Sequence, residues 1–485
     1  MENTGRILRG LTPGARNILF GKTVDNSMAA ELNEVSQVDR AHLVMLARTG
    51  IVDRQPIREV LEEIDRLRAV NFAPLTGLSA TRGLFLLYEN YLIEKLGHAT
   101  GGILQTARSR NDLNATTLIL RLRKPYRKLL REALRLQAAL INRGRRSLDV
   151  VMPIYTHYQA ALPVTFGHYL LGLAYAIERD IEGIMEAGKG LARCPLGAGA
   201  VGGTSLPIDP SLTAELLGFD RPAPHSIDAV ASRDFVIRLL AAAAMLGITL
   251  SRLATDFLLW STAEFGFLTF PDQLVGSSSM MPQKRNPFIL EHVKGRSAAP
   301  FGGLIAASMA MHGTPYTNSI SVGTEAVNPI WSSLKSVTEA TTLARLAVDG
   351  ARPEGGPMLE RAVQGYTTAT ELANRLVIES GQDFRTAHHR VGAMIREGIE
   401  HKEMLEEVAQ RAKGDGVRAV STQGLDPVSV ARESNSGGGP GRVSTARCVE
   451  ELKRGWARVV RLNNEEIERW KAADLALDEA IRRLY

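Results

Sequence analysis

From Val236 to Leu250 the chain carries one charge, Arg238, and this run lies inside a stretch from Ser226 to Glu264 that contains no proline. A helix so composed is apolar nearly all round, and in water it holds only where neighbours cover every side. Its length invites a membrane-spanning reading. The charged flanks and the adjacent alanines Ala241 to Ala244 suit the core of a helix bundle better. One subunit does not readily supply that many neighbours, so association of several copies through this helix is expected. A second long helix is expected from Pro163, well placed as a first-turn residue, with Phe166, Leu170, Leu173, Ile177, Ile181 and Ile184 recurring at spacings of three and four. The expected fold class is all-α. Residues 1–105 are read as an N-terminal helical domain and 106–358 as a central bundle domain carrying the motifs; 359–485, past the Pro353–Pro357 break, are read as a C-terminal helical domain.

At 485 residues the chain is long enough to bury an extensive core. Its two cysteines, Cys194 and Cys448, form neither a disulfide framework nor a metal-ligand pair, which points to a reducing compartment. The N-terminus has no apolar stretch of signal-peptide or membrane-spanning length, so a cytoplasmic location and no membrane association are expected. A net charge of +6 fits either nucleic-acid binding or a cationic site for polycarboxylates. The basic residues are scattered among acids and no nucleic-acid motif is present, which favours the second. No metal is expected: the ten histidines show no paired ligand spacing, and the adjacent His388 and His389 point to different sides of a helix. No organic cofactor is expected either. The run Gly197 to Gly203 is not preceded by a strand of β-branched residues and reads as a turn between helices, not a dinucleotide loop.

The chemistry concentrates in three places. Gly276 to Pro287 gathers Ser277, Ser278, Ser279, Lys284 and Asn286 on a loop with a Met-Met-Pro-Gln hinge, ahead of a helix expected to begin near Phe288. Such a loop can close over an anion. Ser109 to Asp112 has the form of a capping box, for which Arg110 and Asn111 are not needed; a helix N-terminus that adds an arginine fork is a carboxylate receptor. Thr156, His157 and Gln159 precede the helix expected from Pro163.

These segments together resemble the fumarase/aspartase superfamily, and the argininosuccinate lyase branch in particular. Gly276–Pro287 is similar to the superfamily signature, Thr106–Asp112 to the branch's Arg-Ser-Arg-Asn-Asp segment, and Tyr155–Gln159 to its Thr-His-x-Gln segment. Further similar stretches follow in family order at Pro163–His168, Pro195–Ala200, Ser226–Val230, Arg233–Phe235 and Trp260–Gly266. The resemblance implies a three-domain subunit, a homotetramer with a twenty-helix core, and active sites assembled from several subunits. It also implies a lyase that releases fumarate by β-elimination. Ser278, six residues before Lys284, stands at the family's spacing for the catalytic base, with Ser277 and Ser279 as rivals. Lys284 would face the enolate-like dianion, and Asn286 would donate to the same carboxylate. Thr156 would bind a carboxylate, with His157 in the site; whether His157 protonates the leaving nitrogen stays open, because an alkylamine can depart already protonated. Arg110, Asn111 and Gln159 complete the expected binding set.

The departures bear on the substrate. Gly83 and Phe85 stand where argininosuccinate lyases carry an aspartate and a histidine, and Asn318, Gly323 and Ala326 where they carry the tyrosine, glutamine and lysine that hold the arginine half. The fumarate-forming half is intact. The expected reaction is therefore reversible cleavage of another N-substituted aspartic acid to fumarate plus an amine or amino acid, with ethylenediamine-N,N'-disuccinate as an example. A conventional argininosuccinate lyase and a crystallin-like structural protein are the alternatives.

Overall fold

The computed structural model describes residues 11–20, 28–78, 80, 83–411 and 421–485, so parts of the regions 1–105 and 359–485 lie outside the described residues. The described chain is helical, with four two-stranded sheets of at most seven residues per strand as its extended structure. Its centre is a bundle of long helices: Arg110–Arg146, Phe166–Gly188, Asp234–Trp260 and Asn328–Gly350, with Phe288–Ser297 and Ala299–Met311 wedged between the last two. The Arg110 helix runs for 37 residues, roughly 55 Å at 1.5 Å per residue, and spans the whole bundle. Ala29–Arg48 packs beside its first half, and Arg54–Ala69 packs on Ala29–Arg48 in turn. The last helix, Arg442–Arg482, returns along it, with Trp456 Nε1 donating to Leu134 O at 3.0 Å. A separate small core built on Leu372, Leu376, Val391 and Leu425 lies in the C-terminal region.

Apolar spacing accounts for the burial. On the Phe166 helix, Phe166, Leu170, Ile177, Ile181 and Ile184 are buried and Leu173 is half-buried against the core. The helix does not begin at Pro163, however. Pro163 lies in the strand Gln159–Thr165, opposite Pro153 of Val151–Thr156, and Thr165 caps the helix by accepting from His168 N at 3.0 Å. A two-stranded hairpin has only edge strands, where a missing N–H is tolerated, so a proline here satisfies either reading of the sequence.

The apolar stretch from Ser226 is also divided. Ser226–Ala231 ends before Ser232, and the long helix is Asp234–Trp260. The break is stabilised by side chains: Ser232 donates to the Asp234 carboxylate, and the Arg233 guanidinium donates to the carbonyls of Val230 and Ser232. Asp234–Trp260 is long and apolar enough to cross a membrane by composition, but its contacts are with the Phe166, Phe288, Ala299 and Asn328 helices. One side stays uncovered. Met245 is 58% exposed, and Ile248 and Leu259 continue the same apolar row, as Phe301, Ile305 and Met309 do on the next helix.

Glycines set the closest helix contacts. A Cβ on Gly167 would overlap the carbonyl of Gly144, and one on Gly247 would overlap that of Ser297. Gly183, on the same helix as Gly167, faces open space. Gly167→Ala is expected to cost about 1–3 kcal/mol by forcing two helix backbones apart. Gly183→Ala is expected to gain about 0.4–1 kcal/mol by restricting the unfolded chain. Opposite shifts in thermal unfolding midpoint for the two variants are the check.

Candidate functional site

The N-terminus of the Arg110 helix is built around Asp112. One carboxylate oxygen accepts from Ser109 N at 3.0 Å, while Ser109 Oγ accepts from Asn111 N at 3.3 Å, so the capping box forms. The other oxygen accepts from Gly197 N at 3.1 Å and Gly199 N at 2.9 Å. Burial pushes this carboxyl upward, and the amides of Ser109, Gly199 and Gly197 with the Arg108 charge pull it part of the way back. Gly197 and Gly199 have φ of 103° and 61°, and a Cβ on Gly199 would sit 2.6 Å from Gly203 O, so the glycine run serves to wrap a carboxylate tightly.

That wrap places Asn111. Its Nδ2 donates to Ala200 O at 3.0 Å, and its Oδ1 accepts from Asn318 Nδ2 at 3.0 Å. The amide is thereby fixed in one orientation with one N–H left free. Arg110 is exposed and forms no close ion pair among the described residues, though its charge acts on Glu89. Asn318 carries no sequence signal for this contact: it is far along the chain and was distinguished only as a departure from the family.

A second layer lies beneath. Arg108 and Asp39 form a fully buried ion pair at 2.6 Å, with the Arg108 guanidinium 5.8 Å from the Phe85 ring. His42 Nε2 lies 2.9 Å from Thr106 O, and burial together with the Arg108 charge pulls this histidine down to about 3, so it stays neutral and donates. The layer holds the Thr106–Asp112 segment in place. It was missed because Asp39 and His42 lie in a region with no recognisable motif.

Thr156, His157 and Gln159 sit at the exposed tip of the hairpin. Thr156 pairs with Gln159, and His157 and Tyr158 between them have φ of 51° and 61°. A two-residue turn with both φ positive usually takes Asn or Gly, so the turn holds strain that other packing must offset. One pair below the tip, Tyr155 packs on Phe265 at 5.6 Å between ring centroids.

The serine loop is a second hairpin. Gly276 pairs with Asn286 and Ser277 with Arg285, and Arg285 is anchored to Asp272 at 2.6 Å and to Phe270 O at 2.9 Å. Ser278 Oγ accepts from Met280 N at 3.3 Å and Met281 N at 3.0 Å. Ser279 and Lys284 are exposed. Phe288–Ser297 starts where the sequence places it. Within one subunit the structure thus joins Asn111, the Ala200 loop and Asn318. Among the described residues no hydrogen bond or ion pair links Ser278, Lys284 or Asn286 to Arg110, Thr156 or His157. Nor, among the described residues, do three or more His, Cys, Asp or Glu side chains converge as metal ligands.

Residues 32–302 match a family model described as Lyase, and 366–413 one described as Argininosuccinate lyase C-terminal. The argininosuccinate lyase of Methanoculleus marisnigri is 36% identical over 87% of this chain and 87% of its own. That of Geobacillus thermodenitrificans is 35% identical over 85% of this chain and 91% of its own. Among solved structures, EDDS lyase in complex with formate superposes with a TM-score of 0.86 at 26% identity, over 98% of both chains, and a variant of EDDS lyase with bound fumarate does so equally.

The buried His42 makes stability depend on pH. Its folded value of about 3 lies below the ordinary 6.5, so the unfolded chain binds the proton first and stability falls as pH drops from 6.5 towards 3. The loss approaches about 1.4 kcal/mol per pH unit from this residue. Thermal unfolding of the wild type and of His42→Gln between pH 7.5 and 5 is the check, with a shallower slope expected for the variant.

Proposed function

Because this chain belongs to the fumarase/aspartase superfamily, in its argininosuccinate lyase branch, and is therefore a carbon–nitrogen lyase that releases fumarate, we propose that its substrate is an N-substituted aspartic acid other than argininosuccinate. The observation that carries this is the fate of the replaced positions. Asn318 spends its amide on Asn111, Gly323 has no side chain, Ala326 is fully buried, and Phe85 is buried near Arg108. None of them offers a charged group to an arginine half, and an unpaired buried guanidinium or carboxylate costs several kcal/mol. A substrate of the ethylenediamine-N,N'-disuccinate kind has the same succinyl head and a different tail.

In this reading the head is held by Arg110 and the free N–H of Asn111 from one patch, by Thr156 and Gln159 from the hairpin tip, and by Ser277, Ser279, Lys284 and Asn286 from the serine loop. Ser278 Oγ removes the proton from the carbon beside one carboxylate. The electron pair forms the double bond as the C–N bond breaks, and the amine leaves with the bonding pair. Charge that builds on the carboxylate meets Lys284 and Asn286. Two backbone N–H groups already point at Ser278 Oγ, and donors of this kind stabilise an alkoxide, which favours Ser278 over its neighbours. His157 stands near the leaving nitrogen.

The three patches meet across subunits of a homotetramer. The uncovered apolar row of Met245, Ile248 and Leu259, with Phe301, Ile305 and Met309, supports that association. A conventional argininosuccinate lyase is the second reading, favoured by the identity of the curated relatives. A purely structural role has no use for Ser278, Lys284, Asn286, Arg110 and His157 together.

Incubation with fumarate and a panel of amines and amino acids, followed by ultraviolet absorbance, is expected to show fumarate loss, with no cleavage of argininosuccinate. Rapid argininosuccinate cleavage and rescue of an arginine auxotroph would establish the second reading instead. Ser278→Ala is expected to lower turnover about 10²–10⁴-fold with the assembly unchanged by gel filtration. Ordinary turnover in that variant moves the base elsewhere.

A further inference from the structure

A groove of about 440 Å³ lies between the Arg110 helix and the last helix. Leu134 meets Trp456 at one end and Arg127 meets Trp470 at the other, so the two helices run antiparallel along it. One wall is cationic. Lys124, Arg127, Lys128, Arg131 and Arg135 recur at spacings of three and four on one face of the Arg110 helix, and they line the groove over roughly 16 Å at 1.5 Å per residue. Leu134, Trp456, Val460 and Ile467 make an apolar floor, with Asn463 and Asn464 on the facing wall. No described residue that lines the groove is acidic.

The acids around it cover only part of this charge. Lys124 lies 3.5 Å from Glu34, and Arg135 lies 2.8 Å from the buried Glu132, which Arg131 and Arg345 approach only to 3.9 Å. Glu466 acts on Arg127, but it is shared with Arg123 and Arg469. Lys128 forms no ion pair among the described residues, and Lys124, Lys128, Arg131 and Arg135 are exposed. Asn463 has a buried amide oxygen without a hydrogen-bond partner among the described residues. A row of like charges on a flat helix face is ordinarily left to water and salt. Beside an apolar cleft the solvent screens less, and an anion gains more.

The groove also lies away from the uncovered apolar row. The Phe166 and Asn328 helices pack between the Arg110 helix and the Asp234 helix that carries Met245 and Ile248. Association through that row leaves the groove in solvent.

We propose that this groove binds a short chain of phosphates, either a free oligophosphate or the tail of a nucleoside triphosphate, at a site separate from the succinyl-binding patches. Arginine forks and lysines one helical turn apart meet successive phosphoryl oxygens, and the amides of Asn463 and Asn464 donate from the other wall. The volume is that of a small-molecule site, and the apolar floor accepts a base where the chain carries one.

Calorimetric titration of the wild type with tripolyphosphate, ATP and citrate in magnesium-free buffer is the test. Tripolyphosphate is expected to saturate with a Kd of about 1 mM or tighter, and citrate, whose carboxylates do not form a chain, to bind at least about tenfold more weakly. ATP binding about tenfold tighter than tripolyphosphate assigns the groove to nucleotides, and equal or weaker ATP binding assigns it to the free oligophosphate. No saturation by either phosphate compound up to about 10 mM, or citrate binding as tightly, overturns the inference. Lys128→Glu combined with Arg131→Glu is expected to weaken phosphate binding about 100-fold, and Lys128→Gln alone, which decides the matter if the double variant does not fold, about tenfold. Arg385→Glu combined with Arg396→Glu makes the same charge change on exposed residues of the C-terminal region and is expected to leave Kd within about threefold. An unchanged Kd in the groove variants, or an equal loss in the control pair, overturns the inference. Arg110→Ala is expected to keep the binding, and its loss there moves the phosphates to the succinyl-binding patch and overturns the inference as well.

Discussion

The Asp112 carboxylate is the joint between the fold and the site. One oxygen closes the cap of a helix that spans the bundle, and the other gathers the amides of Gly197 and Gly199. Both tasks use the same buried group, so the helix end and the glycine run cannot move independently. Asn111 is consequently clamped between Ala200 and Asn318. Under it the Asp39–Arg108 ion pair and the neutral His42 fill the interior side of the segment. A carboxylate receptor must hold its donors still before the ligand arrives, since reorganisation during reaction would cost what electrostatic stabilisation gains.

The other two patches are of a different character. The hairpin tip with His157 and the loop with Ser278 are both exposed turns, each anchored at its base by strand pairing and carrying its chemistry at the end. In the proposed assembly a rigid receptor would face two presented tips, which suits elimination, in which the base and the leaving nitrogen lie on opposite faces of the substrate and water must be shut out. Closure over the substrate would bury donors that a single subunit leaves in solvent. The apolar rows left open on the central helices belong to the same economy: what one subunit leaves uncovered, an assembly can cover.

Specificity divides along the same line. In the proposed reading the succinyl-binding groups are those shared with the family, while of the positions that departed from it Asn318 bonds to Asn111 and Ala326 packs in the interior. A Cβ at Gly323 would touch Asn318 Oδ1 at 3.4 Å, so the two replacements fit one another.

The sequence by itself determined whatever depends on near neighbours in the chain. The apolar run around Ala241–Ala244 specified a core helix, the Ser109–Asp112 box specified a helix start, and the glycine and serine run from Gly276 specified a loop. Local signals failed where one residue satisfies two geometries. Pro163 suits a helix's first turn and an edge strand alike, and the helix break at Ser232 is made by side chains returning to their own backbone. Tertiary structure alone decided the contacts between distant segments: Asn318 on Asn111, and Asp39 against Arg108. Periodicity and spacing report on the few residues within one turn or pleat, whereas these pairings depend on how whole helices pack, and on where burial leaves a charge with or without a partner.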